Sequence, residues 1–122
     1  MKSFIHWPLA QIQRFWVLLT VVLLVVIGVL SLLPVAQLPE VPGTDKTHHF
    51  IAYCALMLPT ALRWPKYWWA LALCFIAYSG AIELIQPYVN RWGEWLDLAA
   101  NSGGVVVGTL LGYGLRRSEI ND

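Results

Sequence analysis

From Phe15 to Leu33 the chain runs 19 residues without a charge, and that run decides what kind of fold is open to it. As a helix it is about 28 Å long at ~1.5 Å per residue, close to the ~30 Å hydrocarbon thickness of a bilayer. Inside hydrocarbon every backbone N–H and C=O needs a partner, and a helix supplies all of them within one segment. A cleaved signal peptide is the rival reading, because Lys2 and Arg14 precede the run. The run is long for such a peptide, and Pro34-Val35-Ala36 makes a poor small-x-small cleavage site. The run is therefore read as a first membrane span.

The rest of the chain repeats the pattern three times. With 58% hydrophobic and 12% charged residues, about half the usual charged share, 122 residues suit a single multi-pass membrane domain over 1–122. Further spans are expected at about 45–62, 68–86 and 98–115. Residues 1–14, with Phe4, Trp7 and Ile12 among Lys2, His6 and Arg14, read as an interfacial entry segment. Pro34, Pro39, Pro42 and Gly43 predict a non-helical loop that Thr44 or Asp45 ends by capping the second span. Pro59 is expected to bend that span, Pro87 to stop the third, and Arg116-Arg117 to end the fourth. Tyr88, Trp92 and Trp95 suit an interface belt. Cys54 and Cys74 lie mid-segment and read as buried thiols, not a disulfide.

Basic residues orient the arrangement. Lys2, Arg14, Arg63, Lys66, Arg116 and Arg117 fall on one side, and only Lys46 and Arg91 on the other. The positive-inside rule then puts both termini in the cytoplasm. The expected fold is an all-α integral-membrane four-helix bundle, N-in and C-in, in the cytoplasmic membrane. A net charge of +1 with no basic stripe gives no case for nucleic acid.

Polar chemistry inside the apolar segments singles out a site. Glu83 and Gln86 close the third span, and Asp97 and Asn101 open the fourth. Spacings of three and four put each pair on one helical face, as they do Asp45 and His49 at the start of the second. An ionisable group at mid-membrane costs roughly 2.5–3.5 kcal/mol, so such residues face protein or water. All three pairs belong at one height, with Arg91 in the connecting loop. Ala100, Gly104, Gly108 and Gly112 recur every four residues, a stripe suited to close helix packing.

Ordered motifs carry a resemblance. Asp45-Lys46-Thr47-His48-His49-Phe50-Ile51-Ala52-Tyr53 is similar to the D-K-x-x-H-F-x-x-Y opening of the VanZ-like family. Glu83-Leu84-Ile85-Gln86, then Arg91, then Asp97-Leu98-Ala99-Ala100-Asn101 with Gly104 and Gly108 resemble that family's E-x-x-Q, R and D-x-x-x-N-x-x-G segments in order. The resemblance covers about 45–108 and makes His49, not His48, the matching histidine. It implies a four-span plan in a bacterial cytoplasmic (inner) membrane and a link to glycopeptide (teicoplanin) resistance. The aromatic loop Trp92-Gly93-Glu94-Trp95 departs from the family norm.

Three readings compete for Asp45, His49, Glu83, Gln86, Arg91, Asp97 and Asn101. They are interhelical glue, or a pocket for an anionic envelope lipid or cell-wall precursor, or an enzyme site acting on a lipid phosphate. Glue needs only neutral amides such as Gln86 and Asn101, whereas an arginine fork with acids nearby suits phosphate beside hydroxyls or an amine. Chemistry would use Glu83 or Asp97 as acid/base, but no nucleophile elbow, Walker loop or zincin motif is present. Asp45, His49, Glu83 and Asp97 are plausible metal ligands without a close-spaced signature, so neither a metal nor another cofactor is expected. The expectation is an outward-facing pocket that binds or handles an envelope lipid.

Overall fold

The computed structural model describes residues 2–33, 45–89 and 95–121. Among these residues the protein is all helical: α1 Lys2–Arg14, α2 Trp16–Leu32, α3 Asp45–Arg63, α4 Trp68–Ile85 with a 3-10 turn Gln86–Val89, and α5 Trp95–Asn121. The proline-rich stretch 34–44 and the loop 90–94, with Thr44, Arg91 and Trp92, lie outside the described residues.

Trp68–Tyr88 and Trp95–Ser118 are each long and apolar enough to cross a membrane. A third candidate arises if α1 from Trp7 and α2 count as one span, for the pair bends by 76°. The expected second span, α3, does not meet that measure, because Asp45, Lys46, His48 and His49 fill its first turns. Its position explains why it tolerates them: α3 touches α1, α2, α4 and α5, and packs most extensively on α5. Its Leu56, Met57, Ala61 and Leu62 are fully buried, and Leu56 and Met57 join Ile27 of α2, Phe75 and Ile82 of α4 and Val105 of α5 in one core. A helix that packs most of its surface on others needs less apolar surface facing outward.

The outside is the reverse of a soluble protein's. Val17, Leu18, Val21, Val22, Val25 and Val29 of α2 are exposed, as are Leu73 and Leu84 of α4 and Val106, Leu110 and Leu111 of α5. An apolar surface of this extent suits lipid. The buried Thr20 and half-buried Thr109 satisfy their hydroxyls within their own helices, Thr20 donating to the Trp16 carbonyl at 2.6 Å and Thr109 to that of Val105 at 2.8 Å.

Close approach fixes the α3–α5 pair. A Cβ at Gly104 would strike the Phe50 carbonyl oxygen, one at Gly108 would lie 2.6 Å from that of Cys54, and one at Gly112 would strike the Ala61 Cβ. On α2, Gly28 leaves room for Tyr78, whose hydroxyl donates to the Leu24 carbonyl at 2.6 Å and ties α4 to α2.

The far end of α3 is held by side chains of two other helices. Gln13 donates to the Leu62 carbonyl at 3.0 Å, and Arg116 to the Arg63 carbonyl at 3.2 Å, a cation where the helix dipole favours one. Trp64 leaves the helix with φ 54°, a left-handed conformation more common for glycine, and its ring stacks on Trp68 at 4.5 Å. Arg116 and Arg117 do not end α5, which runs on to Asn121 because no glycine or proline follows them.

Candidate functional site

Three helix ends meet at one end of the molecule: the start of α3, the end of α4 and the start of α5. Each brings one ionisable side chain inward. An imidazole nitrogen of His49 and carboxylate oxygens of Glu83 and Asp97 all lie within 4.8 Å of one another. Glu83 and Asp97 are buried and His49 nearly so. The Nδ1 of His49 stands 4.0 Å from Oδ1 of Asp97, and the half-exposed Lys46 brings its ammonium to 3.5 Å from the same oxygen. Neither distance is that of a hydrogen bond.

A second polar layer lies four residues further along each helix, one turn inward. Tyr53 follows His49, Ser79 precedes Glu83 and Asn101 follows Asp97. The Asn101 amide donates to the Ser79 hydroxyl at 2.6 Å, and the Tyr53 hydroxyl is hydrogen-bonded to the same Ser79. All three are buried. We expect Asn101→Ala and Ser79→Ala to be coupled by about 0.6–1.7 kcal/mol in a double-mutant unfolding cycle, the range for hydrogen bonds between membrane helices. Additive effects would mean that the layer contributes no pairing energy.

The residues singled out from sequence are thus divided. His49, Glu83 and Asp97 converge, and Asn101 lies one turn inward. Gln86 reaches another way, its amide donating to the Ser31 carbonyl of α2 at 3.0 Å and fastening the end of α4 there. Asp45 is the first residue of α3, one turn before His49, and its side chain lies outside the described set, as does all of Arg91. Three participants were not among the candidate site residues: Lys46 and Tyr53, which stand in the D-K-x-x-H-F-x-x-Y motif, and Ser79. Tyr53 and Ser79 were available from helical spacing alone, at four residues from His49 and Glu83. Lys46 sits on the turn that Asp97 faces, a pairing across 51 positions that spacing does not reveal.

Hydrogen bonding in the site is incomplete among the described residues. Oδ1 of Asp97, Oδ1 of Asn101 and Oε1 of Gln86 are fully shielded from solvent and accept no hydrogen bond. A buried acceptor left in that state costs about 1–3 kcal/mol.

A protein-family model described as VanZ/LLP1 matches residues 2–116, nearly the whole chain. No curated protein and no solved structure matches it.

Proposed function

The chain belongs to the VanZ-like family, and we propose that its His49/Glu83/Asp97 cluster is a pocket for the headgroup of an anionic envelope lipid or lipid-linked cell-wall intermediate. One observation carries this reading: the buried acceptors of Asp97 and Asn101 accept no hydrogen bond where three helix ends converge beneath a cation, Lys46. The hydroxyls of Ser79 and Tyr78, by contrast, have hydrogen-bond partners within the protein. A phosphate meets Lys46, and the hydroxyls or amine of a headgroup donate to Glu83 and Asp97. Handling such an intermediate would also alter sensitivity to glycopeptides such as teicoplanin.

In this reading the protein crosses the cytoplasmic membrane four times, α3 among its spans, with both termini inside and the pocket on the outer side. Single cysteines at Tyr88 and Trp95, in a background lacking Cys54 and Cys74, should react with an impermeant maleimide added to intact cells. Cysteines at Lys66 and Ser118 should not. Labelling of Lys66 from outside reverses the orientation.

Lipid retention tests the pocket itself. Native mass spectrometry of the protein in mild detergent should show a bound anionic lipid on the wild type and much less on Lys46→Ala. Equal retention by both, or retention of zwitterionic lipid alone, contradicts the proposal.

A further inference from the structure

His49, Glu83 and Asp97 each come from a different helix, so no close-spaced ligand signature exists in the sequence for a metal. The geometry nonetheless places one imidazole and two carboxylates around a common point. We propose that His49, Glu83 and Asp97 bind a divalent metal ion of the Zn²⁺ type, held more tightly than Mn²⁺ or Mg²⁺. The inference concerns the ion alone and stands whatever headgroup the pocket receives.

Distance is the first argument. Two ligands on one tetrahedral zinc, at metal–ligand lengths of ~2.0–2.1 Å, lie about 3.3 Å apart. His49 Nδ1 and Asp97 Oδ1 are separated by 4.0 Å, too far for a hydrogen bond and slightly wide for two ligands of one ion. The full set, within 4.8 Å, needs each side chain to close by about an ångström or less, a shift that χ rotation provides.

Charge is the second. Two buried carboxylates this close repel each other unless cations stand beside them. Lys46 stands beside Asp97 from the rim, and a divalent ion would bring further positive charge to both acids at once. The third argument is Asp97 Oδ1 itself, on a residue only 2% exposed, which accepts no hydrogen bond and faces His49. Imidazole with carboxylates favours Zn²⁺ over Mg²⁺ or Ca²⁺, and the Irving–Williams order puts Zn²⁺ above Mn²⁺. Three protein ligands leave a fourth position for water or an anionic oxygen, as in open zinc sites.

Lys46 provides an internal check. It competes with the ion for Asp97, so Lys46→Gln should bind Zn²⁺ as tightly as the wild type or several-fold more tightly. Tag-free full-length protein in detergent is stripped with chelator, titrated calorimetrically with Zn²⁺, Mn²⁺ and Mg²⁺, and then dialysed for elemental analysis. The wild type should retain one Zn²⁺ per chain, bind Mn²⁺ more weakly and show no Mg²⁺ binding. Affinity should fall at least about tenfold in His49→Ala, Glu83→Gln and Asp97→Asn, since even an outer-shell partner is worth roughly 10–100-fold. His48→Ala should match the wild type. Sub-stoichiometric zinc on the wild type overturns the proposal whether or not the variants fold. So does zinc binding that His48→Ala weakens and the three ligand variants leave unchanged.

Discussion

Gly108→Leu is expected to unfold this protein well below the melting temperature of the wild type. A Cβ there would sit 2.6 Å from the Cys54 carbonyl oxygen and 3.0 Å from the Met57 Cβ, and leucine adds three more carbons beyond it. The first contact is backbone, which cannot rotate aside, so the α3–α5 pair has to separate. Overpacking typically costs 1–3 kcal/mol, and a backbone clash puts this change at about 3 kcal/mol or above. Two controls on the same helix isolate the cause. Val106 is 55% exposed, so Val106→Leu should move stability by less than about 0.5 kcal/mol. Gly114 has nothing within 4 Å of a Cβ, and Gly114→Ala should be neutral or stabilising by up to about 1 kcal/mol. Thermal unfolding of the three in one detergent checks the set. Equal shifts for Gly108→Leu and Val106→Leu would contradict close packing of α5 on α3.

The comparison of sequence with structure turns on what local spacing encodes. Four-residue intervals along 100–112 mark a face for close packing, but nothing in them says that Phe50, Cys54 and Ala61 of α3 lie opposite. Hydropathy marks α2, α4 and α5 and understates α3, because a helix that turns most of its surface to its neighbours has less of it selected for lipid contact. Gly28 reads as an ordinary break in an apolar run until Tyr78, 50 residues on, is seen to need the space beside it. Within the pocket, His49, Glu83 and Asp97 are legible because ionisable groups are rare in apolar segments. Their common height follows from where the spans begin and end. That the three groups come within 4.8 Å of one another depends on how α3, α4 and α5 pack, which the segments do not encode. Gln86 shows the limit of face arithmetic: three residues from Glu83, it sits in the 3-10 turn and reaches α2.

Glu83→Gln is the second change with a large expected effect, on function and not on folding. The amide is nearly the same shape, still hydrogen-bonds, and removes a buried charge, so unfolding should shift by no more than about 1 kcal/mol and in the stabilising direction. Glue would be untouched by the exchange. A headgroup that donates to a carboxylate would lose a charge-assisted bond, about twice as strong as a neutral one. Asp97→Asn, at the residue facing both Lys46 and His49, is the companion probe.

The central claim is that these acids receive something from outside the protein, and it is tested by measuring melting temperature and bound anionic lipid on the same preparations of wild type, Glu83→Gln and Asp97→Asn. The account predicts that all three melt alike or that the variants melt higher, while lipid retention falls at least about tenfold in both, a loss of ~1.4 kcal/mol or more. Unchanged melting with unchanged lipid retention at both positions would contradict it, and would leave His49, Glu83 and Asp97 as fastenings between helices.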